Sequence, residues 1–391
     1  MNKKRYLLKM TVAMVLAGAS ALPVQAQDVV KIGLILPMTG PFASTGRQVE
    51  AAARLYMAQH GTTVAGKKIE LIVKDDTNVA DMTKRLAQEL VVNDKVAVLA
   101  GFGLTPLALS TAPIATQAKV PMVVMAAATA MITEQSPYIV RSGFTLPQVT
   151  LGIGKWAPQN GIKRVVTLVS DYGPGIDAQN SFKKVFTESG GEVVQELRVP
   201  VRNPDFAPFL QRVRDAKPDA VFVFVPSGVG SVFMKQFAER GLDKAGIKLI
   251  GTGDVTDDDI LNDMGNVALG VVTSMHYSAA LDNPANKSYV AGMAKANNGL
   301  RPNFHSVGGY DGMHLIYKAL EATKGDTNGD KLVAAMKGLK WDSPRGPVML
   351  DPETREMVQN VYITKVERVN GGLYNVPFDK IGAVKDPAKI K

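Results

Sequence analysis

Val30-Lys31-Ile32-Gly33-Leu34-Ile35-Leu36 runs directly into Pro37-Met38-Thr39-Gly40-Pro41-Phe42-Ala43-Ser44-Thr45-Gly46. The first stretch is apolar on both faces of an extended chain, with Lys31 its one charge, as expected for a strand covered on both sides in a parallel sheet. The second is rich in Gly, Pro and hydroxyl residues and reads as a strand-end loop. Residues 44–60 then place Val49, Ala52, Ala53 and Met57 at helical spacing. Strand, loop and helix make one β-α unit, and the chain repeats it. Strands are predicted at 69–73, 96–100, 121–125, 165–169, 193–199, 220–225 and 248–250. Helices are predicted at 79–92, from Thr105-Pro106 onward, and at 177–189, 205–216 and 229–240. Thr256-Asp257-Asp258-Asp259 reads as the start of a further helix, its aspartates complementing the helix dipole. About ten such units are too many for one sheet, so the fold class is α/β with two doubly wound, Rossmann-like lobes. An extended segment between Pro137 and Pro147 marks a boundary near 138–146. Helices at 286–297, 306–323 and 329–337 and antiparallel strands near 345–350 and 357–367 complete the two lobes.

The N-terminus sets the compartment. Lys3, Lys4, Arg5 and Lys9 form a basic region, Met10 to Ala21 is an apolar run of 12, and Val24-Gln25-Ala26 is a small-x-small cleavage site. A run that short does not span the roughly 30 Å of a bilayer core. Residues 1–26 are therefore read as a cleaved signal peptide. No cysteine near the cleavage site can carry a lipid, which points to a periplasmic protein with no membrane insertion after processing. Removing this segment reduces the formal net charge from +9 to +5 over 365 residues, with no dense basic stripe. Nucleic acid is not an expected partner. The chain has no cysteine, which excludes disulfides, thiolate nucleophiles and cysteine metal sites.

Ligands of open α/β sheets bind beyond the carboxyl ends of the strands. In the first half this directs attention to Phe42, to Gly101-Phe102-Gly103-Leu104-Thr105-Pro106, and to Ala126-Ala127-Ala128-Thr129. Thr105 as N-cap and Pro106 at N1 would open a helix whose N-terminus favours an anion. In the second half the candidates are Tyr172, Ser227 in Pro226-Ser227-Gly228, Asp254 in Gly251-Thr252-Gly253-Asp254, and His276 after the strand-like 269–275. Each also has an ordinary reading: a helix cap, tight packing, a turn former or a structural histidine. The four histidines show no metal-binding spacing. Gly61 to Lys68 approaches a phosphate loop but has Lys68 where Ser or Thr must stand, and it precedes a strand. No G-x-S-x-G elbow occurs. No metal or cofactor is expected, and no nucleophile and base are grouped for an enzyme.

Ile32 to Pro41, Val73-Lys74-Asp75-Asp76-Thr77 and Asp171-Tyr172-Gly173-Pro174-Gly175, in this order of elements, closely resemble the type I periplasmic binding proteins of ABC importers, in the branch of leucine/isoleucine/valine-binding proteins. The resemblance covers nearly all of 28–370. It implies two lobes, 28–142 plus 277–349 and 143–276 plus 350–391, joined by three crossovers and closing on ligand by a hinge. It implies a small carboxylate-bearing solute, a branched-chain or hydrophobic amino acid or an aromatic carboxylate, handed to an ABC permease in the inner membrane. In such proteins a hydroxyl and backbone amides hold the carboxylate, matched here by Thr105 and by Ala126, Ala127, Ala128 and Thr129. A tyrosine and an acid complete the amino-acid site, matched by Tyr172 and more loosely by Asp254. An aromatic acid would instead pack against Phe42, Phe102, Tyr172 and His276. A sensory receptor subunit of the same fold and an exported enzyme are the alternatives.

Overall fold

A computed structural model describes residues 28–390; the signal-peptide reading lies outside them. The first sheet contains β1 (Val29–Leu36), β2 (Thr63–Val64), β3 (Lys67–Asp75), β4 (Val98–Gly101), β5 (Met122–Val124) and β6 (Ile139–Arg141). Helices α1 (Ala43–His60), α2 (Ala80–Val92) and α3 (Thr105–Ala118) connect them, and α4 (Leu146–Gln159) follows β6. Strand order is β2-β3-β1-β4-β5-β6, parallel except for β2. Ile32, Leu34, Ile35 and Leu36 are fully buried, as their uninterrupted apolar run requires.

The second lobe begins with β7 (Arg164–Ser170), α5 (Gly173–Glu188), β8 (Glu192–Val199), α6 (Ala207–Ala216), β9 (Ala220–Phe224), α7 (Gly230–Glu239) and β10 (Lys248–Thr252). Then come α8 (Leu261–Met264), β11 (Val272–Met275), α9 (Pro284–Ala296), α10 (Phe304–Ala322) and α11 (Gly329–Met336). The chain ends with β12 (Lys340–Ser343), β13 (Gly346–Leu350), β14 (Met357–Val369) and β15 (Gly372–Val384). Their order is β12-β13-β14-β11-β10-β9-β7-β8, with β15 on β14. The β7–β11 part is parallel, whereas β14 joins β11 antiparallel. Helix α10 packs on α1, with Tyr56 edge-on to Tyr310 and Tyr317. Val348 and Leu350 pack in the core around β1, while β13 pairs with β14 of the second sheet. This stretch therefore joins both lobes.

Three expectations change. The 138–146 segment is extended only through β6; Pro147 sits in the first turn of α4, which a capping box between Thr145 and Gln148 opens. Thr256–Asp259 does not open a helix. A 3-10 turn (Gly253–Thr256) precedes it, and Asp257 and Asp258 are buried. Asp257 accepts from Asn303 Nδ2 at 3.0 Å, and Asp258 lies 3.7 Å from Arg301. These acids are thus interior polar partners, not dipole charges on an exposed helix end. The sequence reading also omitted β15. Asn370 and Gly371, both with positive φ, form the two-residue turn between β14 and β15.

Candidate functional site

The carboxyl ends of the parallel strands of both lobes converge on one narrow cavity. Phe42 follows β1, Gly103, Leu104 and Thr105 follow β4, and Ala126, Ala127 and Ala128 follow β5. From the other lobe come Tyr172 after β7, Phe224, Pro226 and Ser227 at the end of β9, and Asp254 after β10. Phe144 before α4 and His305 in the first turn of α10 close it. The loop bearing Phe42 is pinned by Asp75, which accepts from Met38 N at 2.9 Å and from Thr39 Oγ1 at 2.7 Å.

One end of the cavity meets the N-terminus of α3. Thr105 is the first helical residue of α3, with Leu104 as the N-cap position, so its hydroxyl does not cap the helix. It lies 2.7 Å from the Thr129 hydroxyl, and one of the pair donates to the other. Thr129 is outside the lining and supports Thr105 from behind. In the first turn of α3, Pro106 has no N–H, and Leu107 N and Ala108 N both donate to Leu104 O, at 3.1 and 3.2 Å, so Thr105 N is the helix-entry amide left over. Of the next loop, Ala127 N is committed to Phe102 O at 2.9 Å. It is therefore not available to a ligand.

The walls are aromatic: Phe42, Phe144, Phe224 and Tyr172, the last two stacked with centroids 6.1 Å apart. Phe102 and His276, expected there, lie one layer back. Phe102 is fully buried beside β4 in the first core. His276 stacks on Phe144 at 4.7 Å and bonds Phe304 O at 3.2 Å, so it supports a wall without lining it. Thr45, Phe144, Leu146, Phe224 and His305 are lining residues that the sequence did not single out. Phe224 was within reach, since it ends a strand that had been recognised. His305 was not, because nothing in sequence brings α10 to the cleft.

The third feature is an acid without a cation. Asp254 is 4% exposed and receives the Thr252 hydroxyl at 2.7 Å. Burial pushes its carboxyl up to about 7. Burial, and then the nearness of Asp254, raise the Tyr172 phenol well above its ordinary value. Burial holds His305 down to about 3, a neutral ring. His305 Nδ1 is buried and has no hydrogen-bond partner among the described residues, and the buried Ser227 hydroxyl faces Asp257. The lobes touch around the cavity. Ser44 Oγ donates to Asp259, and Ala130 N donates to Asp177 Oδ2 at 2.8 Å. A Cβ on Gly228 would stand 2.2 Å from Pro41 O, and one on Gly173 would stand 2.6 Å from Thr129 Oγ1.

Two α/β lobes meeting on such a cavity define a solute-binding protein of the type I periplasmic class. Residues 29–372 match the periplasmic binding protein family, and the chain belongs to it. It is 46% identical over 350 residues to Leu/Ile/Val-binding protein homolog 6 of Brucella melitensis, covering 89% of this chain and 90% of that protein. It is 63% identical to a solute-binding protein of an ABC transporter from Rhodopseudomonas palustris BisB5, solved in complex with 3,4-dihydroxybenzoic acid. That match has a TM-score of 0.91 and covers 93% of this chain and all of that one (100%). A second R. palustris ABC-transporter solute-binding protein, in complex with 4-hydroxybenzoate, is 42% identical with a TM-score of 0.91 and covers 93% and 100%. Among the described residues no helix is long and apolar enough to cross a membrane.

Proposed function

We propose that this protein is the periplasmic solute-binding subunit of an ABC importer for an aromatic carboxylate bearing a ring hydroxyl. The observation that carries the reading is the polarity sequence along the cavity: an anion-binding end at Thr105 and α3, aromatic walls, and a buried acceptor at Asp254. A hydroxybenzoate has the same sequence of groups. Its carboxylate meets the N-terminus of α3 and the Thr105 hydroxyl, where charge-assisted bonds set orientation. Its ring packs between Phe42, Phe144, Phe224 and Tyr172. Its hydroxyl donates to Asp254, with His305 Nδ1 in place for a second polar substituent. Solved relatives holding 3,4-dihydroxybenzoic acid and 4-hydroxybenzoate support this choice.

Closing of two lobes, 28–142 plus 277–349 and 143–276 plus 350–391, buries the solute, and the closed form presents it to an inner-membrane permease. The protein binds and releases its solute unchanged and needs no cofactor. A branched-chain amino acid is the second reading, favoured by the Brucella relative's name and by Asp254 as an ammonium partner.

A thermal-shift panel on protein stripped by unfolding and refolding tests the choice. A ligand at 100 times its dissociation constant adds about 2.7 kcal/mol. Midpoint shifts with 4-hydroxybenzoate and 3,4-dihydroxybenzoate are expected. Shifts confined to leucine, isoleucine and valine would overturn the aromatic reading.

A further inference from the structure

Arg141 ends β6 and is fully buried under the 126–129 loop. Its Nη1 donates to Ala127 O, its Nη2 to Thr129 O at 2.6 Å, and its Nε to Glu356 Oε2 at 2.6 Å. In a trans peptide the carbonyl and the following N–H point to opposite sides, and no described peptide bond is cis. Holding the Ala127 carbonyl on Arg141 therefore turns the N–H of Ala128 away from it, and Ala128 lines the cavity. Holding the Thr129 carbonyl turns the N–H of Ala130 outward in the same way. That N–H donates to Asp177 Oδ2 at 2.8 Å, from α5 of the opposite lobe.

We propose that Arg141 is a positioning residue that couples carboxylate capture to lobe closure, its single guanidinium fork aiming one amide at the solute and the next at Asp177. This rests on the reading above only in requiring that the solute carry a carboxylate. Charge acts in the same direction as geometry. Burial raises the Asp177 carboxyl, and the nearby Arg141 guanidinium counteracts it. Glu356 holds the arginine from beneath and is itself bonded by Lys389 Nζ at 3.1 Å and by the Thr133 hydroxyl at 2.8 Å. The fork is thereby kept on the two carbonyls and does not turn toward Asp177. A lysine would keep the charge but could not hold two carbonyls and a carboxylate in one plane.

The test is a double-mutant cycle of Arg141→Lys and Asp177→Asn on the affinity for 4-hydroxybenzoate, with closure followed by small-angle scattering at saturating ligand. Arg141→Lys is expected to weaken binding by about tenfold and to leave saturated protein more extended than wild type. Asp177→Asn is expected to weaken binding by about threefold, and the double variant by less than the product. Multiplicative effects, or wild-type affinity in Arg141→Lys, would overturn the coupling. If Arg141→Lys does not fold, Asp177→Asn decides by itself: unchanged affinity and closure sink the proposal. If wild type ignores 4-hydroxybenzoate but binds leucine, the aromatic reading fails and the same cycle is scored with leucine. Binding of neither overturns both.

Discussion

Replacing Asp254 with asparagine should make the protein more stable and a poorer receptor. The carboxyl is buried, has one hydroxyl donor, and faces no cation within bonding distance among the described residues. Burial moves it from 3.8 to about 7, so its ionised form is penalised by at most roughly 4 kcal/mol. The folded value lies above the unfolded one. Below pH 3.8 both states are protonated and there is no penalty. As pH rises toward 7 the unfolded chain ionises first, and folding stability falls until the native group ionises as well. The advantage of Asp254→Asn should therefore be small at pH 4, grow up to about pH 7 and stay level above it. Each kcal/mol moves the melting midpoint of a lobe-sized domain by about 2–4 °C. Thermal melts of the stripped wild type and variant from pH 4 to pH 8 read this directly. At pH 8, where the wild-type carboxyl is ionised, 4-hydroxybenzoate should bind the variant about tenfold more weakly, and the difference should shrink toward pH 5 as Asp254 becomes protonated. A variant that melts at the wild-type temperature throughout, or differs by the same amount at every pH, would refute the reasoning.

Thr105→Val keeps the branched shape but removes the hydroxyl 2.7 Å from Thr129; calorimetry should show about tenfold weaker binding of 4-hydroxybenzoate. Gly228→Ala places a methyl against Pro41 O, a contact made only with the lobes together. Scattering at saturating ligand should then show a larger radius of gyration than wild type, with an unchanged ligand-free melting midpoint. Arg345→Met removes the cation 2.7 Å from Asp311 in a fully buried pair, leaving that carboxylate with Trp341 Nε1 and Ser343 Oγ, and releases Ser142 O and Gly143 O. Denaturant melts should show a loss of about 3–5 kcal/mol.

Most of the fold was legible because its signal is local. The apolar runs at 30–36 and 220–225 admit only buried strands, and the alternation with helices implies parallel sheets. The errors came where local patterns compete. Pro147 reads as a break, although Thr145 and Gln148 spell a helix start around it. Asn370-Gly371 spelled a hairpin that was passed over. The buried Asp257 and Asp258 could not be recognised, because Asn303 and Arg301 reach them from a distant part of the chain. In the site, residues on strand-end loops were found from the topological rule, and Thr105, Phe42, Tyr172, Ser227 and Asp254 do line the cavity. Phe102 and His276 were misplaced because sequence gives the loop but not which side chain turns inward. Phe144 and His305 arrive from other segments, so only the assembled lobes reveal them.

The most direct measurement is isothermal titration of the stripped protein with 4-hydroxybenzoate and, separately, with leucine. The account predicts saturable one-to-one binding of the aromatic acid and no heat of binding with leucine. Tight binding of leucine with none of 4-hydroxybenzoate would contradict it, and would make Asp254 an ammonium partner.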